Sequence, residues 1–258
     1  MKQKLHIVKV GGHLVNDADA LQKVLSAFAK MDTPKILVHG GGRHATALAT
    51  KLGISPKMIE GRRITDAAML EVAIMSYAGL SNKKIVAQLQ QLDVNAVGLS
   101  GADGNCIEAV KRPVKEIDFG FVGDIVNVNA AVFNSLGAQD FVPVLCAITH
   151  DKNGQLLNTN ADTIAAQVAI ALSATYEVSL FYCFEHAGVL RDIGNPADVI
   201  SHLNATETEI FVEEGVIHQG MVPKLHNGFD ALKNGVNEVV ISDVTALTQS
   251  EAPKTTLQ

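Results

Sequence analysis

The chain has 258 residues, of which 47% are hydrophobic and 19% are charged, and its formal net charge is −6. This composition excludes a disordered chain, and the acidic balance argues against sequence-independent nucleic-acid binding, which needs a basic face to neutralise phosphates. The three cysteines are widely and irregularly spaced. They fit neither a disulfide framework nor a zinc site, so we expect reduced thiols in a cytoplasmic protein. No segment has the uncharged apolar length that a membrane span needs, so no membrane partner is expected.

The N-terminal part of the chain repeats the order strand, glycine turn, helix. The elements that periodicity predicts are a strand at 4–10, a turn at Gly11-Gly12, a helix through Phe28 with Asn16 or Asp17 as its N-cap, a strand at 35–38, a turn at 39–42 and a helix through Leu52. Two such units in succession favour a parallel sheet with helices on both faces.

The rest of the chain continues this alternation, with one antiparallel insertion. The predicted elements are a hairpin at Lys57–Arg63 with Gly61 at its bend, helices at 66–77 and 81–91, a strand at 96–99, an antiparallel flap from Gly104 to Asn129, a strand at 141–144, a hairpin turn at 151–154, a helix at 160–172, a strand at 178–182, a mostly helical stretch from Pro196 to Gly215, a helix at 221–232 and a strand at 238–241. We therefore expect one α/β domain over 1–258, with two lobes, about 1–175 and 176–258, that share a continuous sheet.

The two glycine turns are the first candidates for chemistry. Gly11-Gly12 and the triple glycine at 40–42 each lie where a strand hands over to a helix. Backbone amides at such a turn can bind anions, because no Cβ obstructs the approach and the helix N-terminus adds partial positive charge. At a single turn of this kind, the glycines could equally be present only because they allow a tight connection from strand to helix. Neither turn has the spacing of a Walker loop or of the GxGxxG nucleotide fingerprint.

Several charged and amide side chains are candidates for binding an anion or a cation. Lys9 lies in an apolar strand, where an unpaired ammonium is costly, so it is either an anion contact or a salt-bridged structural residue. The five residues from 158 to 162 include three amide or carboxylate side chains, those of Asn158, Asn160 and Asp162, which is more than helix capping requires. Asp162 could orient lysines or hold the hydration shell of Mg²⁺. Lys224, taken alone, is typical of a surface residue.

Arginine and histidine give weaker signals. The pair Arg62-Arg63 supplies a planar fork suited to a carboxylate, although solvated surface arginines would look the same. The nine histidines have no HxH or HExxH spacing, so the sequence predicts no metal site built from protein ligands. Four of them are interpreted as turn or surface residues: His39, His44, His186 and His226.

Taken together, the motifs resemble those of the acetylglutamate kinases of the amino acid kinase family, over essentially the whole chain. The segments that carry the resemblance are KVGGHL at 9–14, VHGGGRHA at 38–45, EGRRITD at 60–66, GLSGADGN at 98–105, GFVGDIVNVN at 120–129, GQLLNTNADTIAAQVA at 154–169 and GMVPK at 220–224. The resemblance implies a three-layer αβα sandwich with a mainly parallel open sheet. It also implies an enzyme that phosphorylates the γ-carboxylate of an N-acylated glutamate with ATP and Mg²⁺, the second step of arginine biosynthesis.

The resemblance also assigns site residues. By match of motif, Lys9 and Lys224 stabilise the transferring phosphoryl group and Asp162 organises them. The remaining assignments are Gly11 and Gly12 as amides for the nucleotide phosphates, Gly41 and Gly42 as amides on the substrate side, and Arg63 and Asn158 as contacts to the substrate carboxylate and acylamino end.

Two segments differ from the family pattern, and both belong to the nucleotide lobe. Glu185 stands where the family usually has Asp, and Ala252–Thr256 replaces the usual Gly-Thr. The chain begins directly at its first strand, without the helical extension of hexameric, arginine-inhibited members, so we expect a homodimer insensitive to arginine. N-succinylglutamate as substrate would keep every motif, and a non-catalytic sensor of the same fold is the alternative from a different class.

Overall fold

Short strands joined by helices make up the computed structural model, which describes residues 2–32, 34–59, 62–217 and 221–258. The strands are β1 (Lys4–Val10), β2 (Lys35–His39), β3 (Met58–Ile59), β4 (Arg62–Arg63), β5 (Ala96–Leu99), β6 (Ile107–Lys111), β7 (Gly123–Val128), β8 (Val142–Leu145), β9 (Ile148–His150), β10 (Leu156–Asn158), β11 (Glu177–Cys183), β12 (His202–Leu203), β13 (Glu238–Ser242) and β14 (Thr255–Leu257).

Eight of these strands form the central sheet, in the order β12-β14-β13-β11-β1-β2-β8-β5. All neighbouring pairs are parallel except β13 and β14. Strand β1 lies between β2 and β11, so the chain leaves β1 toward one side of the sheet and later returns on the other. In an open parallel sheet the crevice at such a point, beyond the carboxyl ends of the strands, is where ligands bind.

Helices cover both faces of this sheet. They are α1 (Gly12–Asn16), α2 (Ala18–Lys30), α3 (Gly42–Lys51), α4 (Ala67–Ile74), α5 (Asn82–Gln91), α6 (Ala130–Gly137), α7 (Ala161–Ser173), α8 (Ala205–Glu213) and α9 (Val222–Lys233), with a π-helix at Met75–Ser81 between α4 and α5. Alternation along β1 separates two cores, because Leu5 and Ile7 pack with α3, α4, α7 and α9 while Val8 and Val10 pack with α2 and α5. The three-layer αβα fold predicted from the sequence is confirmed.

Local signals account for several helix boundaries. The Asp17 side chain accepts a hydrogen bond from the Ala20 N–H (2.8 Å) and caps α2. Since Asp17 is extended, the helix predicted to run through Phe28 is two helices, α1 and α2. The predicted helices at 66–77 and 81–91 are joined without a break by the π-helix.

The antiparallel segments are also present where they were predicted. Strands β6 and β7 pair antiparallel and join β9 and β10 in a separate four-stranded sheet. The predicted turn at 151–154 connects β9 to β10, and β3 pairs with β4. Gly61, predicted at the bend between β3 and β4, lies outside the described residues.

The expectation of a mostly helical stretch from Pro196 to Gly215 is wrong. Only Ala205–Glu213 is helical, with a capping box formed by Asn204 and Glu207. The residues before it form β12, which completes the edge of the central sheet beside β14. Among the described residues, no helix is long and apolar enough to span a bilayer.

Candidate active site

A cavity of about 760 Å³ opens beyond the carboxyl ends of β1, β2 and β11. Its wall comes from both ends of the chain, and it includes six of the nine residues that the sequence singled out: Lys9, Gly11, Gly12, Gly42, Arg63 and Lys224. Asp162 lies behind the wall in contact with both lysines. Gly41 and Asn158 do not form part of the wall, although Gly41 directly precedes Gly42, which does.

Lys9 is placed at the cavity by the pleat of β1. It shares the sheet face of Leu5 and Ile7, which is the face covered by α7. Its Nζ lies 2.7 Å from Asp162 Oδ1, and only 7% of its side chain is exposed. A buried ammonium needs such a partner, because its desolvation is otherwise uncompensated.

Asp162 stands in the first turn of α7 and links the two lysines. The helix is started by Asn160, whose side chain accepts hydrogen bonds from the Asp162 and Thr163 N–H groups. Burial by itself raises the pKa of the Asp162 carboxyl, but the ammonium groups of Lys9 and Lys224 lower it by more, so its pKa is below the ordinary value. The carboxylate is therefore ionised at neutral pH and holds both cations.

Lys224 reaches the same carboxylate from the other end of the chain. It lies in the first turn of α9, and its Nζ is 3.5 Å from Asp162 Oδ2. Its side chain is 19% exposed, more than that of Lys9, and it forms part of the cavity wall. Two ammonium groups and one carboxylate thus meet at the cavity, and their formal charges leave one positive charge for a ligand.

The glycine turn after β1 uses one of its two amides to hold the sheet together. The Gly11 N–H donates to the Cys183 carbonyl at 2.9 Å, which ties the end of β1 to β11. Gly12 begins α1, where the first N–H groups have no acceptor within the helix. Gly12 lines the cavity, and no backbone carbonyl within the described part of the chain accepts from its N–H.

The turn after β2 is held by the side chain of Tyr77. A Cβ added at Gly41 would lie 2.6 Å from Tyr77 Cδ1, so only glycine fits there with the ring in place. Gly42 begins α3 and its carbonyl accepts a hydrogen bond from Arg63 Nη2 at 3.0 Å. The sequence did not indicate Tyr77, because it lies in an apolar helical stretch and has no motif around it.

Arg63 and Asn158 are connected through the protein and not through the cavity. Arg63 Nη2 also donates to Thr46 Oγ1 at 2.7 Å, which fixes the guanidinium on the cavity wall. Asn158 Nδ2 donates to Thr65 Oγ1 at 3.0 Å, and its side chain is buried. Since Thr65 follows Arg63 by two residues, Asn158 supports the strand that carries Arg63.

The far wall of the cavity comes from the segment after β11 and from the region just before α9. It consists mainly of apolar residues, with Glu185 as an exposed carboxylate among them. The divergent C-terminal segment forms β14, where Thr255 is fully buried. Thr255 Oγ1 accepts from the Val189 N–H (2.8 Å) and donates to the Ile200 carbonyl (2.6 Å), so it organises this wall from behind.

One interpretation of the histidines needs correction. His39 is not a turn or surface residue, because it ends β2 and is completely buried. Its Nδ1 donates to the Gly40 carbonyl, and its Nε2 accepts from the Asn82 side chain. The three cysteines are also buried, and burial raises the pKa of each thiol to about 12. Within the described ranges, no group of three or more His, Cys, Asp or Glu side chains could hold a metal ion.

Comparisons with known proteins agree with this architecture. The model of the amino acid kinase family matches residues 4–243. An acetylglutamate kinase from Bacteroides fragilis is 52% identical over 96% of this chain and 95% of its own length. In fold, the chain is similar to N-acetylglutamate synthase from Neisseria gonorrhoeae complexed with coenzyme A and N-acetyl-glutamate, with a TM-score of 0.83 and 22% identity over 100% of this chain and 60% of that one.

A carbamate kinase from Giardia lamblia, bound to AMP-PNP, has a TM-score of 0.70 and 13% identity, and the match covers 99% of both chains. The family match spans nearly the whole sequence, including every residue that lines the cavity, and the Bacteroides enzyme is similar over almost the full length of both chains. The chain therefore belongs to the amino acid kinase family, and within that family to the acetylglutamate kinases.

Proposed function

We propose that this chain transfers the γ-phosphoryl group of ATP to the γ-carboxylate of N-acetyl-L-glutamate, giving N-acetylglutamyl 5-phosphate and ADP in the second step of arginine biosynthesis. The observation that carries the proposal is the meeting of Lys9, Asp162 and Lys224 at one cavity. The relatives named acetylglutamate kinase support the choice of substrate.

The reaction needs no general base. A γ-carboxylate has a pKa of about 4.3 and is ionised at pH 7, so the nucleophile is ready without losing a proton. The chemical problem is the approach of one anion to another, and it is solved by positioning and by charge. At the scale of about 4 kcal/mol for two unit charges 4 Å apart near a protein surface, two ammonium groups can offset that repulsion.

Asp162 acts on the lysines and not on the substrate. Its two oxygens hold the Lys9 and Lys224 ammonium groups, which would otherwise repel each other. Lys9, Asp162 and Lys224, here called the triad, carry one net positive charge. This charge stabilises the negative charge that develops between the attacking and leaving oxygens, and it does so without solvent reorganisation. Lys9 and Lys224 are the catalytic residues in this proposal, and Asp162 positions them.

The two lobes divide the substrates. We assign residues 1–175 to the acylated amino acid and 176–258 to the nucleotide. Arg63 is suited to the α-carboxylate of the substrate, because its guanidinium is fixed at the cavity wall by Thr46 and the Gly42 carbonyl. The Gly12 amide is suited to a phosphate oxygen of ATP.

Magnesium fits this site as a companion of the nucleotide. Both Asp162 oxygens are taken by lysines, and the described residues hold no cluster for a dedicated metal cage. Mg²⁺ binds in that way at kinase sites, through substrate phosphates and water. When bound, it supplies further neutralisation of phosphate charge.

We further infer a cytoplasmic homodimer. Three buried free thiols suit a reducing compartment. Met75 and Leu80, on the π-helix, expose 49% and 45% of their surface, and these apolar side chains are suited to burial against a second copy. Light scattering of the purified protein tests the dimer, and a hexamer would contradict it.

N-succinyl-L-glutamate is a second candidate substrate, which Arg43 favours. This residue lines the cavity directly after Gly42, which contacts Arg63. A guanidinium at that place could pair with the additional carboxylate of a succinyl group.

The experiment is an assay with ATP, Mg²⁺ and either acyl substrate, in which hydroxylamine traps the acyl phosphate as a coloured hydroxamate. Product with N-acetylglutamate supports the proposal. Product with N-succinylglutamate alone would move it to the second substrate, and Arg43→Gln should then abolish that preference. Binding of either acylglutamate by calorimetry, with no hydroxamate from either, would indicate a sensor and overturn the kinase assignment.

A further inference from the structure

His39 is a buried histidine whose tautomer is fixed by its surroundings. Its Nδ1 lies 2.7 Å from the Gly40 carbonyl oxygen, which can only accept, so Nδ1 carries the proton. Its Nε2 lies 3.1 Å from Asn82 Nδ2, which can only donate, so Nε2 has a free lone pair. The ring is therefore neutral, with its proton directed at the glycine turn.

The Asn82 side chain is fixed in turn by the ends of neighbouring strands. Its Nδ2 also donates to the Val144 carbonyl at 2.9 Å, and its Oδ1 accepts from Lys83 Nζ at 3.1 Å. Lys83 Nζ also donates to the Gly98 carbonyl at 3.2 Å. This chain of bonds joins the ends of β2, β8 and β5, so the position of His39 depends on the rigid centre of the fold.

The bond from His39 reaches the peptide that carries the Gly41 amide. The Gly40 carbonyl and the Gly41 N–H belong to one planar trans peptide and point in opposite directions. Fixing the carbonyl toward His39 therefore directs the Gly41 N–H away from it. Among the described residues, no backbone carbonyl accepts from that N–H, and the Tyr77 ring packs closely against Gly41.

We propose that His39 is a positioning residue, which holds the Gly40–Gly41 peptide so that the Gly41 amide is aimed at the reacting oxygens. The inference rests on the proposed kinase function. His39 itself does not act as an acid or a base, because it is completely buried behind the turn. Burial also lowers its pKa to about 4, so it stays neutral at the pH at which the enzyme works.

Two variants separate the two ring nitrogens. His39→Asn places an amide near the position of Nδ1 and can still donate to Gly40, whereas His39→Gln reaches the position of Nε2 and can bond only to Asn82. We expect His39→Gln to lower kcat by about 10-fold or more, since loss of an aimed oxyanion donor costs on the order of 10²-fold. His39→Asn should retain most of kcat, and KM for ATP should change little in either variant.

A purely structural role predicts the opposite order. Glutamine fills more of the histidine volume than asparagine does, so His39→Gln should be the more stable and, without positioning, the more active variant. The proposal is supported if His39→Asn has the higher kcat although its melting temperature is equal to or lower than that of His39→Gln. A kcat of His39→Gln equal to or above that of His39→Asn would overturn it.

A measurement on the unmodified protein covers the case in which the variants fail to fold. ¹⁵N NMR of the ligand-free chain should find His39 with the proton on Nδ1 and without titration between pH 8 and about pH 5. A proton on Nε2 would overturn the inference. Because this spectrum needs no substrate, it fails or succeeds independently of the hydroxamate assay that tests the kinase function.

Discussion

Tyr77 lies directly against Gly41, so closely that a methyl group at residue 41 would be 2.6 Å from the ring. Tyr77 belongs to the π-helix Met75–Ser81, and only 5% of its surface is exposed. π-helical turns are rare and often occur at functional sites. Here the π-helix determines how closely the Tyr77 ring approaches the glycine turn. The ring in turn determines the position of the Gly41 amide.

Replacement of Gly41 by alanine should therefore disturb both stability and turnover. The Cβ must displace a buried ring, and such overpacking costs about 1–3 kcal/mol. We expect a lower melting temperature and a reduced kcat, measured by calorimetry and by the hydroxamate assay. Gly137→Ala, at the end of α6, is the matched control, because the nearest atom to its Cβ would be 4.0 Å away. Equal behaviour of the two variants would argue against a tight fit at Gly41.

Removal of either active-site ammonium should slow the chemical step. We expect Lys9→Ala and Lys224→Ala each to lower kcat by about 10²-fold or more, as does loss of a preorganised oxyanion donor. Lys233→Ala is the control on the same helix as Lys224, since Lys233 is exposed at the end of α9. Near-normal turnover of both active-site variants would remove these lysines from the mechanism.

Asp162 should make the stability of the protein depend on pH. Asp162→Asn leaves Lys9 buried beside a neutral amide, so we expect the free energy of unfolding at pH 7 to fall by about 3–5 kcal/mol. The folded pKa of Asp162 is lowered, so its contribution is complete above the unfolded value of about 3.9 and is lost as the pH falls through the folded value.

Urea unfolding of the unmodified protein and of Asp162→Asn, from pH 7 to pH 3, measures this effect. The difference between their free energies of unfolding should be constant down to about pH 4 and shrink below it. Asp230→Asn, at an exposed position of α9, serves as the control. A difference that stays unchanged down to pH 3 would mean that the carboxylate charge is not what stabilises the triad.

Arg63 should determine affinity for the acylated amino acid. Lysine cannot reproduce the planar fork that contacts Gly42 and Thr46 and still faces the cavity. We expect Arg63→Lys to raise KM for the acylglutamate by about 10-fold, which is the loss of one charge-assisted hydrogen bond, and to leave KM for ATP unchanged. Arg62→Lys, at the exposed neighbour, should change neither constant. An equal rise in both KM values of Arg63→Lys would contradict a role confined to the acyl substrate.

Local signals made much of this fold predictable. The strands β1 and β2 are short runs rich in apolar residues, and consecutive glycines follow the end of each. Asp17 caps α2, and Asn160 caps α7 after β10, as their side chains indicate. These features depend on a few consecutive residues, so one sequence is enough to predict them.

The remainder depends on contacts between distant segments. The strands β12 and β14 are two and three residues long, and they exist because each pairs with a strand far away in the sequence. His39 is buried because Asn82, 43 residues later, satisfies its second nitrogen. Tyr77 shows the same limit, since no pattern around it predicts a contact with Gly41. The sequence motifs indicated the residues that face the cavity and Asp162 behind them, whereas the roles of His39 and Tyr77 emerge only from tertiary structure.

The place of β1 between β2 and β11 also constrains how the protein can be made. β1 pairs with β11, which begins about 170 residues later in the chain. At a translation rate of about 5–20 residues per second, the ribosome needs on the order of 10 to 30 s to deliver that partner. During this time one side of the nascent β1 has unpaired peptide groups, and an open strand edge is prone to aggregation. The strand that carries Lys9 is thus synthesised well before its partner and is enclosed only after β11 has followed.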